Sequence, residues 1–152
     1  MFDVIVVGTD GSESAGVAVG RAAELAALTG ATLHIVSAYH AVSVGSVAMA
    51  ATAGVTFDLD DVNRSVAAQG ALVCEHAAAA IRGHGVKYEV HAVPGEPADA
   101  LVGVANDVHA DVVVVGSRGM SGARRFVLGS VPNKVSHHCP CSLLIVDTSP
   151  AD

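Results

Sequence analysis

Three glycines and a serine late in the chain have the types and spacing to hold an anion. Two residues separate Gly116 from Gly119, nine more precede Gly129, and Ser130 follows at once. Glycine lets a backbone approach a ligand closely. A helix opened by Gly129 and Ser130 would offer free N–H groups, the positive end of its dipole and a hydroxyl to a phosphate. Two apolar runs end in matching fashion, the first in "VGTDGS" from Val7 to Ser12, the fourth in "VGSRG" from Val115 to Gly119. Gly8 and Gly116 would permit positive φ and close approach there. This arrangement fits a nucleotide with its sugar near Gly116 and its phosphates at Gly129 and Ser130. Neither GxxxxGK[ST] nor GxGxxG after the first strand is present, so the two commoner phosphate signatures do not apply.

Something must bring these segments together, and the hydropathy pattern supplies it. Apolar runs of strand length occur at Val4–Gly8, Thr32–Ala38, Val86–Val93, Asp111–Gly116 and Ser142–Val146, with helical periodicity between them. "VIVVG", "VVVVG" and "LLIV" do not alternate, as expected of strands buried on both faces. The pattern predicts an α/β fold: a single doubly wound open sheet of five parallel strands with about four helices. One helix places Val19, Ala22, Ala23 and Ala26 on one face and ends at Gly30; a second runs from about Asp58 to Arg82. A third carries Leu101, Val104, Ala105 and Val108 behind Pro97, and a fourth follows Gly129. Residues 40–56 show no clear period and read as a flap. In such sheets ligands bind beyond the carboxyl ends of the strands, where the strand order reverses, which is where both glycine sets fall.

Composition narrows the classes. The 152 residues, 51% of them apolar, suffice for one domain with a real core, and 3% aromatics leave valine, alanine and leucine to pack it. Eight basic against fifteen acidic side chains give a net charge of −7, which argues against nucleic acid or an anionic membrane as partner. No run approaches the roughly 18 apolar residues of a membrane span, and three cysteines form no disulfide framework, so the expected location is cytoplasmic. "HHCPC", from His137 to Cys141, packs ligand types too tightly to close a tetrahedron; no metal ligand is assigned, and a helix end followed by a buried Cys141 accounts for it. Plainer readings stand beside the others. Gly8, Gly30 and Gly129 could simply end elements, Asp10 could cap the first helix, and Arg118, Arg124 and Arg125 could be solvated loop charges rather than phosphate screens.

The motif resembles that of the nucleotide-binding branch of the universal stress protein family, and so do "VIVVGTDGSESA" at the start and "HHCPCSLLIVD" at the end, over about Phe2 to Asp147. The resemblance implies a Rossmann-type fold of the adenine nucleotide alpha-hydrolase class. It implies that Thr9 and Asp10 line the adenine and ribose end, that Ala38 contacts the base, and that Gly116 and Gly119 flank ribose and phosphates. Gly129, Ser130 and Val131 would then bind phosphate through amides and the Ser130 hydroxyl. The resemblance makes ATP, with Mg2+, the leading ligand; Pro132 departs from the pattern by removing one N–H, which keeps AMP and cyclic AMP as alternatives. The implied function is that of a stress-response regulator whose bound nucleotide orders residues 40–56 and 120–128 for an unidentified protein partner. The implied assembly is a homodimer joined through strand 142–146. Catalysis is the weaker class, since Asp10 is the one acid placed near the site; a slow ATPase or autophosphorylating enzyme is the alternative.

Overall fold

The computed structural model describes residues 1–118 and 127–149. In chain order the elements are β1 (Val4–Gly8), α1 (Glu13–Thr29), β2 (Thr32–Tyr39), α2 (Val44–Thr52), α3 (Leu59–Ile81), β3 (Tyr88–Pro94), α4 (Pro97–Asp107), β4 (Val112–Gly116), α5 (Ser130–His138) and β5 (Ser142–Val146). A 3-10 turn at Arg82–His84 closes α3. All strands are parallel, in the order β3-β2-β1-β4-β5, so the sheet is doubly wound and open, and the order reverses between β1 and β4.

Alternate residues of the central strands feed two cores. Ile5, Val7, Leu33, Ile35, Val112 and Val114 pack under α1 and α3, whereas Val6, Val36, Val113 and Val115 pack under α4 and α5. A helix layer on each face explains the unbroken valine runs, because neither set of side chains sees water. The α1 stripe is Ala18, Val19, Ala22, Ala23 and Ala26, all buried; small side chains let that helix lie close to the sheet. Ser12 starts α1, its Oγ accepting the Ala15 N–H at 3.2 Å, and Gly30 ends it at φ 75°.

Four expectations change in detail. The structure has five α-helices, because the period-free segment 40–56 contains α2. Ser43 starts it, its Oγ accepting the Ser46 N–H; the helix formers Ala48 to Ala51 carry it on, and none of its residues is buried, so no apolar stripe is needed. The Asp10 carboxylate does not cap α1. It accepts from the Ser12 N–H and hydroxyl at 2.9 and 2.5 Å, and so holds the true cap in place. Gly8 and Gly116 are not among the positive-φ glycines; in this turn that conformation belongs to Gly11, at φ 80°. Finally, β2 extends to Tyr39 and β3 starts at Tyr88, because strand ends follow the pairing partner rather than hydropathy.

Candidate functional site

A cleft of about 270 Å³ opens at the carboxyl ends of β1 and β4, where the strand order reverses. Gly8, Thr9, Asp10, Ala38, Val115, Gly116, Arg118, Gly129, Ser130 and Val131 all line it. Gly119 lies outside the described residues, as do Arg124 and Arg125.

Ala38 takes part through its backbone. The Thr9 N–H donates to Val36 O at 2.9 Å, so even-numbered residues of β2 point their backbone groups toward β1. The Leu33 N–H donates to Lys87 O and the Gly95 N–H to Tyr39 O, so odd-numbered residues face β3. The β1–β2 pairing ends at Gly8 with Val36. The N–H and C=O of Ala38 therefore point toward β1's side just beyond its end, over the cleft. A donor and an acceptor side by side suit the edge of a planar heterocycle.

The opposite wall begins where β4 ends. Ser117 is clamped to the end of β5, its N–H donating to Val146 O at 2.7 Å and its hydroxyl accepting the Thr148 N–H at 3.1 Å. The Gly129 N–H then donates to Ser117 O at 3.0 Å, which sets the start of α5 beside the end of β4. Gly129 is the N-cap of α5 and supplies no side-chain cap. The first-turn N–H groups of Ser130 and Val131 have no acceptor among the described residues, as at any uncapped helix start, and Pro132 has no N–H to offer. Arg118 lines the same space and makes no ion pair among the described residues. An anion there would meet two amides, a hydroxyl, the helix dipole and a guanidinium.

Glycine serves a different purpose at each position. A Cβ on Gly8 would stand 2.8 Å from Leu101 Cδ1, so this glycine lets α4 approach β1. One on Gly116 would come within 3.1 Å of Thr148 Cγ2 and 3.2 Å of Arg118 O. At Gly129 the nearest atom would be Ser117 O at 3.5 Å, an ordinary contact, and φ −59° suits any residue. The fold itself does not require a glycine at 129.

Sequence reasoning missed the apolar side of the cleft: Ala15, Val36, Pro97 and Leu101. Leu101 and Val36 look like core residues in the sequence and are core residues; they reach the cleft because it opens onto the core edge. Pro132 also lines the cleft and is buried. No residue of 40–56 contributes to the lining among the described residues.

In the "HHCPC" segment the helix end falls where expected, whereas Cys141 is half-buried and precedes β5 instead of entering it buried. α5 ends at His138, and Cys139 and Cys141 pack partly buried against the α4 side core, with sulfurs 3.8 Å apart. Burial first, then the neighbouring Cys139 thiol, pushes the Cys141 thiol up to about 12, so it stays protonated at neutral pH. Elsewhere the fold gathers His34, Glu89 and His91, which the sequence reading left unassigned. Burial and the His91 ring lower His34 from the ordinary histidine range, with Glu89 opposing. "EVH" at 89–91 alternates as strand residues do; its partner His34, however, is 57 residues from His91, a distance only strand pairing closes.

The chain is similar to known proteins over its full length. Universal stress protein YxiE from Bacillus subtilis (strain 168) is 33% identical, over 96% of this chain and 99% of that one. A crystal structure of a universal stress protein in complex with cAMP is 34% identical and superposes with a TM-score of 0.69, covering 97% and 98%. Universal stress protein UspA from Lactobacillus plantarum shares 19% identity and the same Rossmann-like adenine nucleotide alpha-hydrolase fold at a TM-score of 0.76, covering 95% and 97%. The model of the universal stress protein family matches residues 1–147, and the chain belongs to that family.

Proposed function

We propose that the cleft binds an adenine nucleotide and that the protein acts as a nucleotide-responsive regulator in the cytoplasm. One observation carries the reading: the exposed backbone edge of Ala38 and the open amide end of α5 with Arg118 face a single cleft between them. The first suits adenine and the second suits phosphate. Nothing in an empty fold requires Gly129, whereas close approach of a phosphate does. The cAMP bound by the relative at 34% identity supports the ligand class.

ATP leads from the motif alone, yet two features favour a monophosphate. Pro132 withdraws one donor from the first turn of α5. The cleft volume of about 270 Å³ falls just below the range of about 300 to 1,000 Å³ usual for ligand sites. AMP and cyclic AMP are therefore the preferred ligands, with ATP weaker and carrying Mg2+ when bound. Asp10, the one carboxylate among the described lining residues, is already engaged by Ser12, so slow ATP hydrolysis is the second reading.

The protein is also proposed to pair through β5. Among the described strands it pairs with β4 alone, and Leu144 on it is 40% exposed. Unpaired N–H and C=O groups on such an edge accept a second strand, and a two-fold axis supplies one.

Calorimetry with AMP, cyclic AMP, ATP and GTP on the nucleotide-free protein tests the ligand. Micromolar binding of the adenine nucleotides, with GTP much weaker, is expected. Absence of heat and of any thermal shift at millimolar concentrations of all four would remove the proposal.

A further inference from the structure

His34, Glu89 and His91 meet on the α4 face of the sheet at its β3 edge, and none of them lines the cleft. Strand register explains the meeting: His34 pairs with Glu89 and Val36 with His91. Side chains alternate across a strand, so all three share the face on which Val36, Ala38 and Val93 join the α4 side core. The His34 Nδ1 lies 2.9 Å from His91 Nε2 and 3.7 Å from a Glu89 carboxylate oxygen. All three donor atoms fall within 4.8 Å of one another. His34 is 6% exposed, whereas the Glu89 side chain is 64% exposed, so the cluster is closed from below and open at the sheet edge.

We propose that His34, Glu89 and His91 form a binding site for a divalent transition ion of the zinc class, with the remaining coordination position open to solvent. Two imidazoles and one carboxylate are a donor set zinc uses when it keeps an open position. Tetrahedral ligands about 2.0–2.2 Å from an ion stand roughly 3.3 Å apart, and the observed 2.9 and 3.7 Å lie on either side of that spacing. A small rotation of the exposed Glu89 side chain would close the longer distance, and a slight turn of the His91 ring would open the shorter. Two imidazoles and a carboxylate suit zinc, copper or nickel better than magnesium or calcium, which prefer all-oxygen sites. A bound ion would tie the edge strand β3 to β2, so binding would register as stability.

The test uses the full-length chain carrying Cys139→Ser and Cys141→Ser, which removes the thiols as competing ligands. Zn2+ alone is titrated by calorimetry, thermal unfolding is followed with and without it, and Co2+ is added as a spectroscopic stand-in. One ion per chain is expected, with a raised unfolding midpoint and visible Co2+ ligand-field bands. Glu89→Gln, at an exposed position that keeps the metal-free midpoint, should weaken binding by at least about tenfold, and His91→Ala should abolish it. Two results overturn the site: no Zn2+ binding at micromolar ion, or Zn2+ binding that is unchanged in both Glu89→Gln and His91→Ala.

Discussion

A methyl group added at Gly8 and one added at Gly129 meet different surroundings, and this separates folding from binding one residue at a time. At Gly8 it would press on Leu101 at 2.8 Å, and Leu101, 3% exposed at the core edge of the cleft, would have to shift. Gly8→Ala should lower stability by about 1–3 kcal/mol in denaturant melts. At Gly129 the same group has ordinary contacts, so Gly129→Ala should change stability by no more than about 0.5 kcal/mol. It would nevertheless stand where phosphate is proposed to approach, and adenine-nucleotide affinity should fall at least about tenfold, or 1.4 kcal/mol. Normal affinity in a normally folded Gly129→Ala would put the phosphate elsewhere. The glycine spacing was legible in the sequence, but the reason for each glycine was not. Positive φ in this turn belongs to Gly11, because φ is decided by how the chain leaves β1 toward α1.

Among the elements, β1 and β4 are tied at their amino ends as well as along their length. The Asp111 carboxylate accepts the Asp3 and Val4 N–H groups at 2.7 and 2.9 Å, and those bonds to the ionised form hold its pKa below the ordinary carboxylate value. A depressed folded pKa contributes stability in full above the ordinary value, and that contribution is lost as pH falls through the depressed one. Asp111→Asn should therefore be less stable than the parent at neutral pH, and the difference should vanish in acid. Paired melts across that range check it, and a gap that persists at low pH would exclude a charge effect. The outer edge of β5 offers a second test. Leu143 and Ile145 pack on the α4 side core while Leu144, on the opposite face, is 40% exposed, so Leu144→Lys is the change that strikes pairing without striking the core. Alternation along the strand, which turns Leu143 into the core, makes Leu144 and not Leu143 the position to replace. Sedimentation should show a dimer for the parent and a monomer for Leu144→Lys. If both are dimers, the interface lies on another surface.

For the whole molecule, the cleft and the histidine cluster make separable contributions to stability. A ligand bound only to the folded state at a hundred times its dissociation constant adds about 2.7 kcal/mol. Saturating cyclic AMP should thus raise the unfolding midpoint of the parent but not of Gly129→Ala, while Zn2+ should still stabilise that variant. Loss of the Zn2+ response in Gly129→Ala would show that the two sites are one system.

Sequence alone determined the architecture. "VIVVG" and "VVVVG" have the length and β-branched composition of strands covered on both faces, the helical stripes between them fit crossovers, and such alternation points to a parallel doubly wound sheet. It also marked Gly8, Gly116, Gly129 and Ser130 of the cleft lining, because close backbone approach and helix starts are local requirements written in glycine and serine, whereas Thr9, Asp10, Ala38 and Val131 were implied by the family resemblance. Tertiary structure decided what depends on partners distant in the chain. The backbone edge of Ala38 is open only because β1 ends opposite Val36. Leu101 reaches the cleft only because Gly8 admits it. His34 finds Glu89 and His91 only through the register of β2 on β3, and a strand's own residues carry no record of which neighbour they will face.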